Sequence, residues 1–306
     1  MNWQLLPQFA VTGLLVGGPI ALTGLGLVLI FKSSSVFNFA QGQLLLLGTL
    51  VTWWLSVKLG LPLWLAILLA LLFSALLGFL IERMALRPMT DQPLLAIILM
   101  TLGLNQVLQG LALLLFGPMQ RNFPQIFPSG NPYKITTPFV YNSDNIVVIL
   151  KRDLVGSFVV AFVCVVAIAA LFQFTRIGLA MRATSEDHEL AQSVGLRIRR
   201  TFGLSWALAG VVATIGGILL ASSSGLDLSL SIAVLAAFPA ILLGGLDSIP
   251  GVLVGGLIIG LSTGLVSASK VQIIRSSTEI VPYVVLLIML LIRPEGLFGQ
   301  KRIERI

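Results

Sequence analysis

The sequence predicts an all-α fold, a polytopic membrane helical bundle of about eight to nine transmembrane segments, with room for a re-entrant or broken helix. Three observations predict it. Of the 306 residues, 57% are hydrophobic and only 10% are charged, where ordinary soluble domains carry about 25% charge. That charge is too little to cover a soluble surface, so most of the surface must face lipid. Apolar runs recur at roughly the 20-residue length that a helix needs to cross hydrocarbon. Finally, Lys and Arg gather in short connections between those runs.

Taken in order, the expected spans are 8–31, 43–60, 62–81, 94–116, 154–174, 202–222, 229–246, 249–268 and 280–293. The start MNWQLLPQF lacks the basic residues of a signal peptide, and the first run is read as a retained helix. That run is glycine-rich and carries Pro19, which allows a bend or break. The pair 229–246 and 249–268 is joined tightly by GGLDSIPG and fits either two full helices or a re-entrant pair. The whole chain, 1–306, reads as one transmembrane domain with an ordered, Pro- and Asn-rich external loop at 117–153 and a charged cytoplasmic loop at 175–201.

Orientation follows from the short loops. Arg83 and Arg87, the arginines at 176, 182, 197, 199 and 200, and the tail residues Arg293, Lys301, Arg302 and Arg305 fall on one side. That side is expected to be the cytoplasm of an inner (plasma) membrane, with the N-terminus outside and the C-terminus inside. Glycines spaced four apart, Gly251 and Gly255, then Gly256, Gly260 and Gly264, can form seams where helices approach closely. Such a seam serves internal packing or a subunit contact equally well.

Composition also excludes. The excess of nineteen basic over twelve acidic residues fits loops held beside anionic lipid. No basic groove with interleaved aromatics points to nucleic acid. Cys164 and His188 are the only residues of their kinds, so no disulfide, metal site or cofactor is expected. No G-x-x-x-x-G-K-[ST] loop is present, and no catalytic triad or carboxylate pair lies within a span. An intramembrane enzyme would need such groups. An ion-coupled secondary transporter would need intramembrane carboxylates or unwound helices. Asp227, Asp247 and Glu279 fall only at span edges.

The stretch RATSEDHELAQSVGLRIRR at 182–200 stands apart from this apolar background. Thr184 or Ser185 can cap a helix start, and Glu186, Asp187 and Glu189 then sit where the helix dipole favours acids. Leu190, Ala191 and Val194 share a face, and Gly195 suits the position just past the end. A helix of about ten residues is only ~15 Å long and cannot span. It is an amphipathic handle for a soluble partner, or else a solvated loop that orients its neighbours.

The segment GLAMRATSEDHELAQSVGLRIRR resembles the cytoplasmic loop of ABC-transporter permeases, in which a helix ending in Ala-x-x-x-Gly docks onto the ATPase; here that pattern is Ala191 to Gly195. GLGLVLIFKSSSVFNFAQGQLLLLG at 24–48, LLGGLDSIPGVLVGGLIIG at 242–260 and RPEGLFG at 293–299 are similar to blocks of the LivH-like family of branched-chain and neutral amino-acid permeases. That family commonly has an acidic residue or His near Gln41 and Gln43, where this chain has two glutamines. The resemblance implies a subunit of an ATP-driven importer. Its partners would be a second related permease or a second copy, two ABC ATPases, an external substrate-binding protein and membrane lipid. The implied solutes are branched-chain or other neutral amino acids, or urea or short amides.

Pathway candidates are the amides. Asn38, Gln41 and Gln43 lie between the first two spans, near the expected cytoplasmic end. Asn105 and Gln109, with Gln106 between them, lie in the middle of the fourth span and four apart on one face. Amides can hydrogen-bond a passing carboxylate or ammonium group without carrying charge. The plainer roles are headgroup contact or interhelical ties.

Overall fold

The computed structural model describes residues 5–89, 92–127, 130–141, 144–186, 191, 193, 195, 198–269, 271–272 and 277–299. Among the described residues, ten α-helices and one β-hairpin follow in chain order. Helix α1 is Leu6–Ser34, and α2 is Gln41–Trp53 continued by a π-helical turn, Trp54–Lys58. Helix α3 is Leu63–Ile81, continued to Met89 by tighter and wider turns, and α4 is Leu94–Phe116. Strands β1 (Tyr133–Tyr141) and β2 (Asp144–Leu150) precede α5, Arg152–Phe174. Then come α6 (Arg176–Glu186), α7 (Ile198–Ser224), a 3-10 turn (Leu228–Ile232) leading into α8 (Ala233–Gly244), α9 (Ile249–Ser267) and α10 (Val281–Ile292).

Local chemistry sets these boundaries. Pro62 and Pro93, both extended, stand immediately before α3 and α4. Gly117 ends α4 at φ 74°, its N–H closing onto the Leu113 carbonyl. Ser248 caps α9 by accepting from the Gly251 N–H. Pro19 lies inside α1 without ending it; the break the sequence allowed there does not occur.

Among the described residues, six helices are long and apolar enough to cross a membrane, by length and composition: α1, α3, α4, α5, α7 and α9. The run expected at 43–60 yields only 13 residues of α-helix before its π turn. The run expected at 229–246 is an unwound entry plus the 12-residue α8, and α10 is equally short. The pair left open by the sequence is thus a short helix followed by a full one.

The bundle is built around α1 and α7. Of their most apolar windows, 72% and 67% are buried, against 11% for α4 and 17% for α5. Leu99, Val107 and Leu114 of α4 and Val159 and Val163 of α5 are among the exposed apolar side chains, which suits contact with lipid or another apolar surface. Helix α1 packs most extensively on α9. A Cβ at Gly13 or Gly17 would strike the carbonyl of Gly260 or Gly256, and one at Gly264 would strike that of Phe9. The glycine seam read from the sequence is therefore an internal one that brings two backbones into contact.

One end of the bundle collects α1's C-terminus, α5's C-terminus, α6 and the α8–α9 turn. There Lys32 Nζ donates to the Asp247 carbonyl at 2.8 Å, and Lys32, Gln173, Arg182 and Phe298 line a common cleft. At the opposite end the hairpin pairs antiparallel, Tyr133 with Leu150 and Tyr141 with Asp144. The Gln8 side chain ties α1 to this hairpin through the Ile149 backbone. The 117–153 region, expected as an ordered loop, holds this hairpin because KITTPFVY and DNIVVIL are rich in β-branched and aromatic residues.

Candidate functional site

Residues 35–40 turn back into the bundle, and α2 starts there. Gly26, which lies two turns before the end of α1, about 12 Å at 1.5 Å per residue, is so close to Gln41 that a Cβ would strike its side-chain amide. Gln41 Nε2 donates to the carbonyl of Ala209 at 3.2 Å, and Ala209 is three turns, about 16 Å, inside α7. The segment 38–43 therefore sits at mid-depth. The sequence had placed it near the cytoplasmic end, because a straight helix followed by a turn is the default that hydropathy reads.

A second unwound segment meets it there. After α7 the chain passes Gly225 at φ 87° and pairs Leu226 with Arg121 in an isolated antiparallel bridge. It then runs inward to the 3-10 turn that precedes α8. The Ser231 carbonyl abuts Gly42, where any Cβ would collide with it. Irregular backbone at this depth is tolerated only where protein or a cavity covers it. Asp227 helps to satisfy the segment, accepting from the Ser229 N–H at 2.8 Å and from its hydroxyl at 2.5 Å.

Between the two segments and α4 lies a cavity of about 500 Å³, within the range of small-molecule sites, roughly 300–1,000 Å³. Its polar lining is Asn38, Gln43, Asn105, Gln109, Ser229 and Ser231. Its apolar lining includes Leu102, Val234 and Leu235, with Phe39 and Phe238, whose rings stack at 6.2 Å. Phe37 continues the stack at 5.8 Å from Phe238, and Phe31 lies 4.7 Å beyond it toward the end of α1. Among the described residues, no charged side chain lines the cavity. The N-terminal end of α2 opens on it with its partial positive charge, while the Asp227 carboxylate caps the turn leading into α8 through the N–H and hydroxyl of Ser229.

The structure thus brings together four of the five amides singled out from the sequence. Gln41 stands behind the wall, its amide taken up by Ala209 and, at 3.3 Å, by Asn38 Nδ2. Asn38 Oδ1 also accepts from the Ala40 N–H. Asn105 is half-buried and Gln109 is exposed where they line the cavity, and Gln106, also exposed, is not part of the lining. Ser229 and Ser231 were missed. The signal for them was a polar, alternating GLDLSLS inside an otherwise apolar run, with Gly225 opening it.

At the arginine-rich end, α6 differs from its expectation. Thr184 and Ser185 do not cap a helix start; they lie in the last turns of α6, and their hydroxyls donate back to the carbonyls of Ala180 and Arg182. The capping residue is Thr175, whose hydroxyl accepts from the Gly178 N–H at 3.1 Å. A favourable cap ahead of a stretch of helix formers places a helix before the acidic cluster; the short helix expected at 185–194 lies mostly outside the described residues. Ala191 is buried at 3% exposure, so this part of the apolar stripe faces its own chain. Gly195 has φ 84°, is exposed and has nothing within 4 Å of a would-be Cβ. Asp187, Glu189, Leu190 and Val194, and the side chain of Glu186, lie outside the described residues.

Apolar helices built around an uncharged, polar-lined cavity at mid-depth define a membrane transport protein. The chain belongs to the family described as branched-chain amino acid transport system / permease component, whose model matches residues 9–292. It is a LivH-like permease, multi-pass and not an enzyme. The high-affinity branched-chain amino acid transport system permease protein LivH of Salmonella typhimurium is 27% identical over 310 residues, covering 98% of this chain and 97% of that protein. BraD of Pseudomonas aeruginosa, with the same description, is 28% identical over 313 residues, covering 98% and 97%. A probable LivH of Methanocaldococcus jannaschii is 29% identical over 297 residues, covering 94% and 91%.

Proposed function

We propose that this chain forms the transmembrane pathway of an ATP-driven importer for branched-chain or other neutral amino acids. The observation that carries the reading is the cavity at mid-depth, where two unwound segments meet and amides and hydroxyls, not charges, supply the polar groups. A solute of zero net charge can pass such a lining without leaving a buried countercharge behind. The names of LivH and BraD as branched-chain amino acid permeases support the same solute class. The partners are a second permease subunit or a second copy, two ABC ATPases and an external substrate-binding protein. Coupling runs through the loop 175–201, with Gly195 presented on its surface. The arginine-rich end faces the cytoplasm of the inner membrane, with the N-terminus outside.

The uncharged lining also suits urea or a short amide, and unwound segments are a feature of ion-coupled transporters. One experiment separates these. Proteoliposomes carrying the permease subunits, ATPases and binding protein are expected to accumulate labelled leucine only with ATP inside and all subunits present. Uptake driven by a proton or sodium gradient through this chain alone would overturn the proposal. Uptake of urea without leucine would replace its solute.

A further inference from the structure

Among the described residues, one buried side-chain polar atom of the cavity wall has no partner. Gln43 is 2% exposed, lines the cavity, and its Oε1 has no hydrogen-bond partner. Its neighbours differ. Asn38 and Gln41 bond to each other, and to the Ala40 N–H and the Ala209 carbonyl. They are fastenings. Gln43 fastens nothing through Oε1, and an unpaired buried acceptor in an apolar bundle is costly unless something occupies it.

Its position says what would fit. Gln43 is in the first turn of α2, and that helix begins at Ala40 without any side-chain cap. An acceptor oxygen and the partial positive end of a helix therefore share one turn. An ammonium group matches the first and a carboxylate matches the second. The apolar lining, which includes Leu102 of α4 and Val234 and Leu235 of α8, takes an apolar side chain, and among the described residues the lining holds no countercharge for an ionic one.

Resting on the reading of this chain as an amino-acid pathway, we infer that the cavity is a binding site within the permease itself for the α-ammonium and carboxylate head of a neutral amino acid. Gln43 is the residue that reads the ammonium group. Selection is then made twice, once by the external binding protein and again at mid-membrane. A solute lacking either head group, such as urea, uses only half of the site.

The test is equilibrium binding of labelled L-leucine to the purified permease–ATPase complex with no binding protein present. Competitors are 4-methylpentanoate, which lacks the ammonium group, and leucinamide, which lacks the carboxylate. In the wild type both are expected to compete at least about tenfold more weakly than leucine, the scale of one charge-assisted hydrogen bond. Gln43→Met is expected to bring leucine and 4-methylpentanoate within about twofold of each other. Gln43→Glu keeps the acceptor and is expected to keep leucine while rejecting 4-methylpentanoate more strongly. An unchanged preference for leucine in Gln43→Met overturns the inference. So does a wild type that does not distinguish the three compounds, a result independent of whether either variant folds. The broader reading fails separately: a wild-type system that cannot take up leucine with ATP and its binding protein refutes the amino-acid pathway, whereas leucine uptake with an unaltered Gln43→Met preference refutes only this site.

Discussion

Ser157 and Thr214 both bury a hydroxyl, yet only one of them has a bond to lose. Thr214 Oγ1 donates to Ser74 Oγ at 2.6 Å and ties α7 to α3, while Ser157 Oγ is buried with no partner. Ser157→Ala removes an unsatisfied buried hydroxyl and is therefore expected to stabilise rather than destabilise, by about 1 kcal/mol or somewhat more. Thr214→Val should cost about 0.6 kcal/mol, the usual scale of an interhelical hydrogen bond, and no more than about 1.7. Thermal unfolding of the detergent-solubilised protein reads both. Gly42 is the more severe case, because the Ser231 carbonyl occupies the place of its Cβ. Gly42→Ala must push the two unwound segments apart, at a cost on the order of 1–3 kcal/mol. It should lower transport per complex along with stability. Wild-type melting and transport in that variant would show that the segments do not need to touch.

At the scale of elements, glycines that look alike in sequence do different things. Gly260 of α9 lies against the backbone of α1 at Gly13 and Gly17, whereas Gly103 of α4 has nothing within 4 Å of a would-be Cβ. Gly260→Leu should abolish a folded monomer; Gly103→Leu should leave the monomer folded, as read by size-exclusion elution and melting. If both variants fold equally well, the α1–α9 seam is not a close contact. This distinction was not legible beforehand, since spacing alone gives internal and subunit seams the same pattern. The long apolar helices were legible, because the cost of exposing charge and backbone to lipid leaves a strong compositional mark. The short ones were not. Helices α2 and α8 begin where the chain unwinds inside the bundle, and hydropathy sees 43–60 and 229–246 as helices with the preceding residues as loop outside. The amides at 38, 43, 105 and 109 could be picked out as polar residues in an apolar context. Ser229 and Ser231, and the meeting of two segments more than 180 residues apart in sequence, depended on tertiary packing that no local pattern reports.

For the whole molecule, sidedness and the pathway stand or fall on different measurements. With Cys164→Ala as background, a cysteine at Gln120 should react with an impermeant thiol reagent added to intact cells, and one at Ser185 should not. The reverse pattern would invert the bundle and with it the direction of import. The central claim is that the cavity bounded by α2, α4 and the entry to α8 is the route of the solute. It is tested most directly by the turnover of leucine per assembled complex when Asn105 and Gln109 are both changed to alanine. These two side chains line the cavity from α4, a helix that is little buried within the chain. If they serve passage, turnover per complex falls at least about tenfold, the scale of one or two lost hydrogen bonds to a charged solute, while the yield of complex and the affinity of the binding protein stay as in the wild type. If instead the yield of complex falls and each surviving complex turns over as before, the amides hold helices together and the cavity is not the pathway.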